Sequence, residues 1–311
     1  MSSLLVFPGQ GAQQPGMLRR LPGSQEVRAC LQEASDVLGQ DVLALDSSQA
    51  LAGTRAVQLC LLVAGVACAR TLLQPGCTVD YVAGLSIGAY PAAVVAGALE
   101  FADALRLVSL RGELMQRAYP EGYGMTVLTG LDLGTVEGLL ARVHSQERPV
   151  YLANINADNQ IVIAGSDAGM QAVAELARER GTGVARRLAV SVPSHCPLLE
   201  QPAQALAAAF ATVPMRASSL GYLSGSRARL LRTVEQLRDD LAFNMCRVVD
   251  WRGTVQSAYE RGVRLQIELP PGAVLTGLAR RVFEQGSVIA FDGARPDTLQ
   301  ALLREEGGRD R

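Results

Sequence analysis

The chain has 311 residues, 49% of them hydrophobic, and a formal net charge of −1. That length and composition can bury a sizeable core in one large domain or two smaller ones, and the even charge leaves no basic footprint for nucleic acid or an anionic membrane surface. Every basic residue except two histidines is arginine, so the absence of lysine excludes a Schiff base, a pyridoxal phosphate site, a Walker A lysine and a kinase-type lysine.

The first strand is expected over 4–7, running into the loop Pro8-Gly9-Gln10-Gly11, whose glycines bring backbone amides close to the strand end. A dinucleotide loop is ruled out, because Gln14 stands where the third glycine belongs and no strand-end acid follows at the expected distance. Helices follow over 25–38 and 57–73, then a strand over 81–84, a helix over 89–99 and another over 103–118. Strands alternating with helices imply a parallel sheet covered on both faces.

Between 124 and 191 the rhythm changes to strand 125–129, helix 133–145, strands 150–155 and 160–164, helix 167–180 and strand 185–190. That βαββαβ order is the ferredoxin-like unit, and it predicts a small subdomain at 124–190 inserted into a large α/β domain made of 1–123 and 191–311. Helices are then expected over 201–212 and 233–243. A short strand at 265–269 ends at Pro270-Pro271-Gly272, and the charged tail 305–311 is expected to fray. The N-terminus lacks a basic n-region, its apolar run is too short for a signal peptide, and no apolar run approaches the ~20 residues that span a bilayer. The six cysteines (Cys30, Cys60, Cys68, Cys77, Cys196 and Cys246) form no Cys-x-x-Cys pair and read as reduced core thiols of a cytoplasmic protein. Two histidines are too few for a multi-histidine metal site.

Ser86 lies in Gly84-Leu85-Ser86-Ile87-Gly88, between an apolar strand and a helix-forming stretch. This Gly-x-Ser-x-Gly frame places a hydroxyl at the apex of a strand–turn–helix, beside first-turn amides that favour developing negative charge. Its two readings are a nucleophile and a structural turn. His195 follows Ser194, a natural N-cap, so it is expected in the first turn of the next helix, where a cation is disfavoured and the imidazole stays neutral. General base and core packing are its alternatives. His144 ends a helix among Arg142, Gln146 and Glu147 and reads as solvated surface.

Arg111 has Leu107, Val108, Leu114 and Met115 as its helical neighbours, which places it on the apolar face. Arg106 and Arg117 can reach Asp103 and Glu113, whereas Arg111 has no local acid. A buried guanidinium then needs an anion from elsewhere, either in a long-range salt bridge or as the carboxylate of a substrate.

Five segments occur in order: Phe7-Pro8-Gly9-Gln10-Gly11-Ala12-Gln13, the Gly84 to Gly88 elbow, Leu110-Arg111-Gly112 with Met115-Gln116, Ala153-Asn154-Ile155-Asn156 with Gln160-Ile161-Val162, and Val192-Pro193-Ser194-His195. Together the chain resembles the malonyl-CoA:acyl carrier protein transacylase family along nearly its whole length. The resemblance implies a hydrolase-like α/β core with an inserted ferredoxin-like subdomain. It also implies Ser86 as nucleophile, His195 as general base and acid, Arg111 as clamp on the malonyl carboxylate, and the backbone N–H groups of Gln10 and Ile87 as oxyanion hole. No cofactor is bound; the substrates are malonyl-CoA and the pantetheine-type thiol of an acyl carrier protein, joined by ping-pong transfer. Asn154 and Asn156 fit either an acyl-orienting role or simple closure of the hairpin.

The departures narrow the resemblance. Leu85 and Ala89 stand where the family usually has His and Glu, Pro270-Pro271-Gly272 replaces Gly-Pro-Gly, and Asp250 precedes Trp251 in place of Gln or Arg. The form Gly-Leu-Ser-Ile-Gly-Ala-Tyr-Pro-Ala-Ala resembles the epsilon subunit of malonate decarboxylase, which implies transfer to that enzyme's own carrier subunit. The rivals are the transacylase of fatty acid synthesis, a serine esterase or thioesterase, which accounts for the elbow but not Arg111, and a carrier-binding scaffold with a dead site. Asp250 suggests a Ser-His-Asp triad, whereas the resemblance has a backbone carbonyl near this segment orienting the histidine.

Overall fold

The structure is a computed structural model that describes residues 2–181 and 183–308. It opens with β1 (Ser2–Phe7), whose Leu4, Leu5, Val6 and Phe7 are all buried. A strand apolar on both faces belongs inside a parallel sheet. Next is α1 (Gln25–Leu38), begun by the Ser24 hydroxyl accepting from Val27 N and ended by Gly39 in the left-handed region.

α2 (Thr54–Leu72) corrects one expectation: by length and hydropathy it could cross a membrane, with 19 residues in the helix. Yet 89% of its apolar window is buried inside the protein, and it packs against α1 and two further helices, α3 (Ala89–Val95) and α4 (Phe101–Ala118). A helix apolar all round is a core helix when protein covers every side. Between α2 and α3 lies β2 (Tyr81–Gly84). α3 stops at Val95, short of residue 99, because the chain turns through Gly97 at φ 70°.

The middle of the chain forms β3 (Tyr123–Thr129), α5 (Leu133–Val143), β4 (Val150–Ala157), β5 (Gln160–Ser166), α6 (Asp167–Glu179) and β6 (Val184–Arg187). Its strands pair antiparallel in the order β6-β3-β5-β4, the arrangement a βαββαβ unit adopts. β6 ends at Arg187 rather than 190, although Leu188 N still donates to Met125 O at 3.0 Å.

The chain continues with α7 (Glu200–Phe210), β7 (Gly221–Ser224), β8 (Arg229–Leu231), α8 (Val234–Phe243), β9 (Val249–Asp250), α9 (Trp251–Glu260), β10 (Val263–Glu268), α10 (Val274–Ala279), β11 (Ser287–Ala290) and α11 (Pro296–Gly308). The larger sheet runs β11-β10-β1-β2-β7-β8, parallel except for the β7–β8 hairpin. β9 instead joins the smaller sheet beside β4, so a strand from the last third of the chain ties the two sheets together. Residues 305–308 are not frayed: they finish α11, whose Leu299 and Leu303 are buried, while 309–311 lie outside the described residues.

Leu5 and Phe7 face one core with α2, α3 and α4, and Leu4 and Val6 face the other with Trp251, Val255 and Leu275. The smaller sheet buries one face under α5 and α6. Its opposite face packs Met125, Val127, Ala153, Val162 and Ala164 against Val190 and Cys196, and thereby braces the segment around His195.

At the end of β2 the glycines are required by close approach. A Cβ on Gly84 would lie 2.0 Å from the Gly88 carbonyl, and one on Gly88 would lie 2.1 Å from Phe7 O. Gly88→Ala is therefore expected to destabilise the protein by more than about 4 kcal/mol in denaturant unfolding, since the obstruction is backbone. Gly138→Ala, inside α5 with nothing within 4 Å of the new methyl, should instead be neutral or stabilise by up to about 1 kcal/mol.

Candidate active site

The strand β2 delivers Ser86 into a three-residue turn, Ser86–Gly88, that leads directly into α3. Ser86 has φ 57°, a left-handed conformation costing a non-glycine residue about 1–3 kcal/mol. The surrounding contacts enforce it: Leu85 N donates to Phe7 O at 3.0 Å and Gly88 N to Leu85 O at 2.9 Å. The elbow is thus tied to the end of β1. Gly9 in the loop after β1 lies against it, where a Cβ would stand 2.7 Å from Leu85 Cδ2 and 3.5 Å from Ser86 Cβ. Gln10 follows immediately, and its side chain is held by buried Gln58, whose Nε2 donates to Gln10 Oε1 at 3.0 Å and contacts Met115 Sδ at 3.3 Å. Both candidate oxyanion residues, Gln10 and Ile87, are therefore chain neighbours of atoms packed on Ser86.

Arg111, on α4, is 0% exposed. No acid among the described residues pairs with it, which removes the structural salt bridge as an explanation. Arg106 and Arg117 do pair with Asp103 and Glu113 on the same helix. Arg111 Nη2 donates to Asn244 Oδ1 at 3.0 Å and to Ser86 Oγ at 3.3 Å, while Nε and Nη1 have no partner. Its guanidinium lies 5.8 Å from the centre of the Tyr90 ring, and burial lowers its pKa.

His195 is buried and does not occupy the first turn of a helix. It has φ 65°, the next turn begins at Pro197 and α7 only at Glu200. Ser194 caps nothing; its hydroxyl is 3.5 Å from Val192 O. The imidazole is held differently: His195 N donates to Met245 O at 2.7 Å, and Nδ1–H donates to Asn244 O at 2.7 Å. That fixes Nε2 as the unprotonated nitrogen. Burial first, and then the Arg111 charge, pull the His195 pKa down to about 4, against the opposing pull of the Asn244 carbonyl. The neutral imidazole expected from a helix dipole is produced by desolvation and a neighbouring cation.

Asn244 connects the three. It follows α8, gives its carbonyl to His195 and its side-chain oxygen to Arg111, and places Nδ2 3.4 Å from Ser86 O. Sequence reasoning missed it, because an asparagine after a helix is an ordinary cap signal. No direct Ser86–His195 hydrogen bond forms among the described residues; the Ser86 hydroxyl oxygen is engaged by Arg111 instead.

Among the described residues, the other candidates make no hydrogen bond to these groups. Asp250 caps α9 by accepting from Gly253 N at 2.8 Å, so no Ser-His-Asp triad forms. Asn156 lines a cleft of about 560 Å³ with Asp158, Asn159, Arg252 and Arg281, and neither it nor Asn154 bonds to Ser86, His195 or Arg111. His144 is exposed, with Nδ1 3.1 Å from Val150 O and its ring against Tyr151. The six cysteines are free, and burial pushes the thiol of Cys60 up to about 12. No cluster of metal-ligating side chains occurs among the described residues.

Residues 4–308 match the acyl transferase domain family. The malonyl CoA-acyl carrier protein transacylase of Haemophilus influenzae is 36% identical over 285 residues, covering 89% of this chain and 91% of its own length. That of Escherichia coli (strain K12) is 34% identical over 304 residues, with 96% and 97% covered. Among solved structures, FabD from Acinetobacter baumannii superposes with a TM-score of 0.91 at 37% identity, covering 97% of this chain and 98% of its own. A malonyl-transacylase in complex with its type II polyketide synthase acyl-carrier protein superposes at 0.89 with 34% identity, covering 98% and 100%. These similarities do not support the nearness to malonate decarboxylase that Leu85 and Ala89 suggest. The chain belongs to the acyl transferase domain family, within the malonyl-CoA:acyl carrier protein transacylases, and is an acyltransferase.

Proposed function

We propose that this enzyme moves a malonyl group from malonyl-CoA to the thiol of an acyl carrier protein through a malonyl-Ser86 ester. The observation that carries the reading is Arg111, a fully buried guanidinium beside the Ser86 hydroxyl with no acid of its own and two unpartnered nitrogens. Only an acyl group that ends in a carboxylate supplies the missing charge. An esterase has no use for such a cation.

The proposed chemistry uses these residues in turn. The incoming carboxylate takes the guanidinium, which releases Ser86 Oγ from Arg111 and turns it toward His195. Ser86 Oγ then attacks the thioester carbonyl carbon while His195 Nε2 accepts its proton, and the amides of Gln10 and Ile87 face the oxyanion. As the C–S bond breaks, the proton passes to the departing CoA sulfur. In the second half the carrier thiol gives its proton to His195, attacks the ester carbonyl, and Ser86 leaves and recovers the proton. Pairing the carboxylate with Arg111 also screens the charge that lowers the His195 pKa, so the base strengthens when the malonyl substrate is in place.

A discrete acyl carrier protein, as in fatty acid synthesis, is the acceptor best supported, since the relatives share that name and one solved relative holds such a carrier. The second reading, a malonate decarboxylase carrier, rests on Leu85 and Ala89 alone. Assaying both carriers side by side decides between them, with faster transfer to the fatty-acid carrier expected.

Brief exposure to malonyl-CoA should add one malonyl mass to the intact protein, and Ser86→Ala should abolish the adduct. Arg111→Ala should cut malonyl transfer by on the order of a hundred-fold or more, about 3 kcal/mol, without lowering acetyl transfer. Equal loss for both acyl groups would rule out the carboxylate clamp.

The His195 proton should set the acid limb of Ser86 acylation in the free enzyme near pH 4, far below an ordinary imidazole. Stability carries the same signature with a definite sign. Between the unfolded value of about 6.5 and the folded value of about 4, the unfolded chain binds the proton and the native state does not, so stability falls as pH drops through that window. Thermal unfolding across pH 4 to 7, compared with His195→Gln, isolates this contribution.

A further inference from the structure

The three groups of the proposed site converge on one residue, Asn244, whose backbone carbonyl meets His195 and whose side chain, to which that proposal gives no part, meets Arg111 and Ser86. Arg111 has five N–H donors, yet among the described residues its only hydrogen-bond partners are Asn244 Oδ1 at 3.0 Å and Ser86 Oγ at 3.3 Å, both on Nη2. Asn244 is itself buried, and its Nδ2 lies 3.4 Å from Ser86 O. The carboxamide therefore aims the guanidinium at the nucleophile from one side and braces the nucleophile's backbone from the other.

We infer that the Asn244 side chain is a positioning residue for Arg111, a neutral placeholder that holds the fork toward Ser86 and yields it to a substrate carboxylate, so setting the preference for carboxylated over plain acyl groups.

The chemistry of the acceptor explains why it is an amide. A neutral carbonyl oxygen accepts from a cationic donor without bringing a counter-charge, so it fixes direction without neutralising the charge. Nε and Nη1 stay unsatisfied, and the buried cation keeps its affinity for an incoming anion. A carboxylate at the same place would form a complete ion pair inside the protein and compete with the substrate. An apolar side chain would leave a further N–H without an acceptor and the fork without an aim. The backbone carbonyl of the same residue orients His195, and that role survives any side-chain replacement.

The inference rests on the malonyl reading above, and the test separates the two. Asn244→Asp and Asn244→Ala are compared with the parent enzyme for transfer from malonyl-CoA and acetyl-CoA, with thermal unfolding as the check on folding. Asn244→Asp should raise the malonyl-CoA KM at least tenfold, with kcat changed less, and should lower acetyl transfer by a much smaller factor through the lost Nδ2 contact to Ser86 O, so that the malonyl-to-acetyl preference falls at least tenfold. Asn244→Ala should also lower that preference, and it supplies the answer should the aspartate variant not fold.

A substrate-free readout accompanies the kinetics. The chain has two histidines, so the proton NMR titration of His195 is assignable against His144→Gln. In Asn244→Asp the new carboxylate, paired with Arg111, should move the His195 midpoint upward, a change that loss of a merely structural contact would not produce. Unchanged selectivity in both variants, with an unmoved His195 midpoint, overturns the inference while leaving an Arg111-dependent malonyl-Ser86 adduct intact. Absence of that adduct in the parent enzyme instead overturns the malonyl reading, and this inference with it.

Discussion

A guanidinium buried without a counter-charge is costly, by several kcal/mol even after the protein relaxes around it. Arg111 is such a group, and the arrangement of the site depends on it. Its α4 neighbours, Leu107, Val108 and Met115, are all buried, so the helix cannot turn the side chain outward without exposing its own apolar face. The charge is eased by the Tyr90 ring, by Asn244 Oδ1 and by Ser86 Oγ, and none of these is an anion. The site therefore holds an electrostatic demand that the proposed carboxylated acyl group would satisfy.

The same cation acts on His195, the proposed base. His195 is desolvated by the packing of the smaller sheet against the segment around it, and the neighbouring positive charge depresses its pKa further. A histidine neutral at ordinary pH is ready to accept a proton, though a weak acceptor while the cation is unpaired. In the proposed reaction, substrate charge and base strength are thus linked through one residue, which also releases the Ser86 oxygen when the carboxylate arrives. Strain at Ser86 and His195, both at positive φ, is sustained by backbone contacts to Phe7 and Met245 that belong to the core of the fold.

Much of this was legible before the structure. The apolar runs of β1, α2 and β2, the βαββαβ rhythm after residue 124, and the glycines around Ser86 report local conformation directly, because periodicity and Cβ clashes act within a few residues. Arg111 declared itself through helical spacing alone, as the one arginine of its helix facing apolar neighbours. Two helices, α9 and α11, were missed outright; the other misses were short or non-local. β7, β8, β9 and β11 span four residues or fewer and carry no full alternation. α2 was read as a helix but not as membrane-length, since its burial depends on the helices packed around it. The helical first turn assigned to His195 failed because Pro197 begins the next turn two residues later and leaves the histidine in a left-handed bend.

The residues themselves determined the Ser86 elbow, the unpaired cation and the candidate base, since each follows from local spacing or from an inventory that holds no lysine and two histidines. Only the tertiary structure decided how they meet. Ser86, Arg111 and Asn244 stand 25 and 133 positions apart along the chain in their pairwise bonds to Arg111, and His195 is 49 positions from the carbonyl that orients it. Contacts of that separation are set by which strands and helices pack together, and no local pattern encodes them. That is why an asparagine indistinguishable from a helix cap in the sequence stands at the centre of the site in the folded chain.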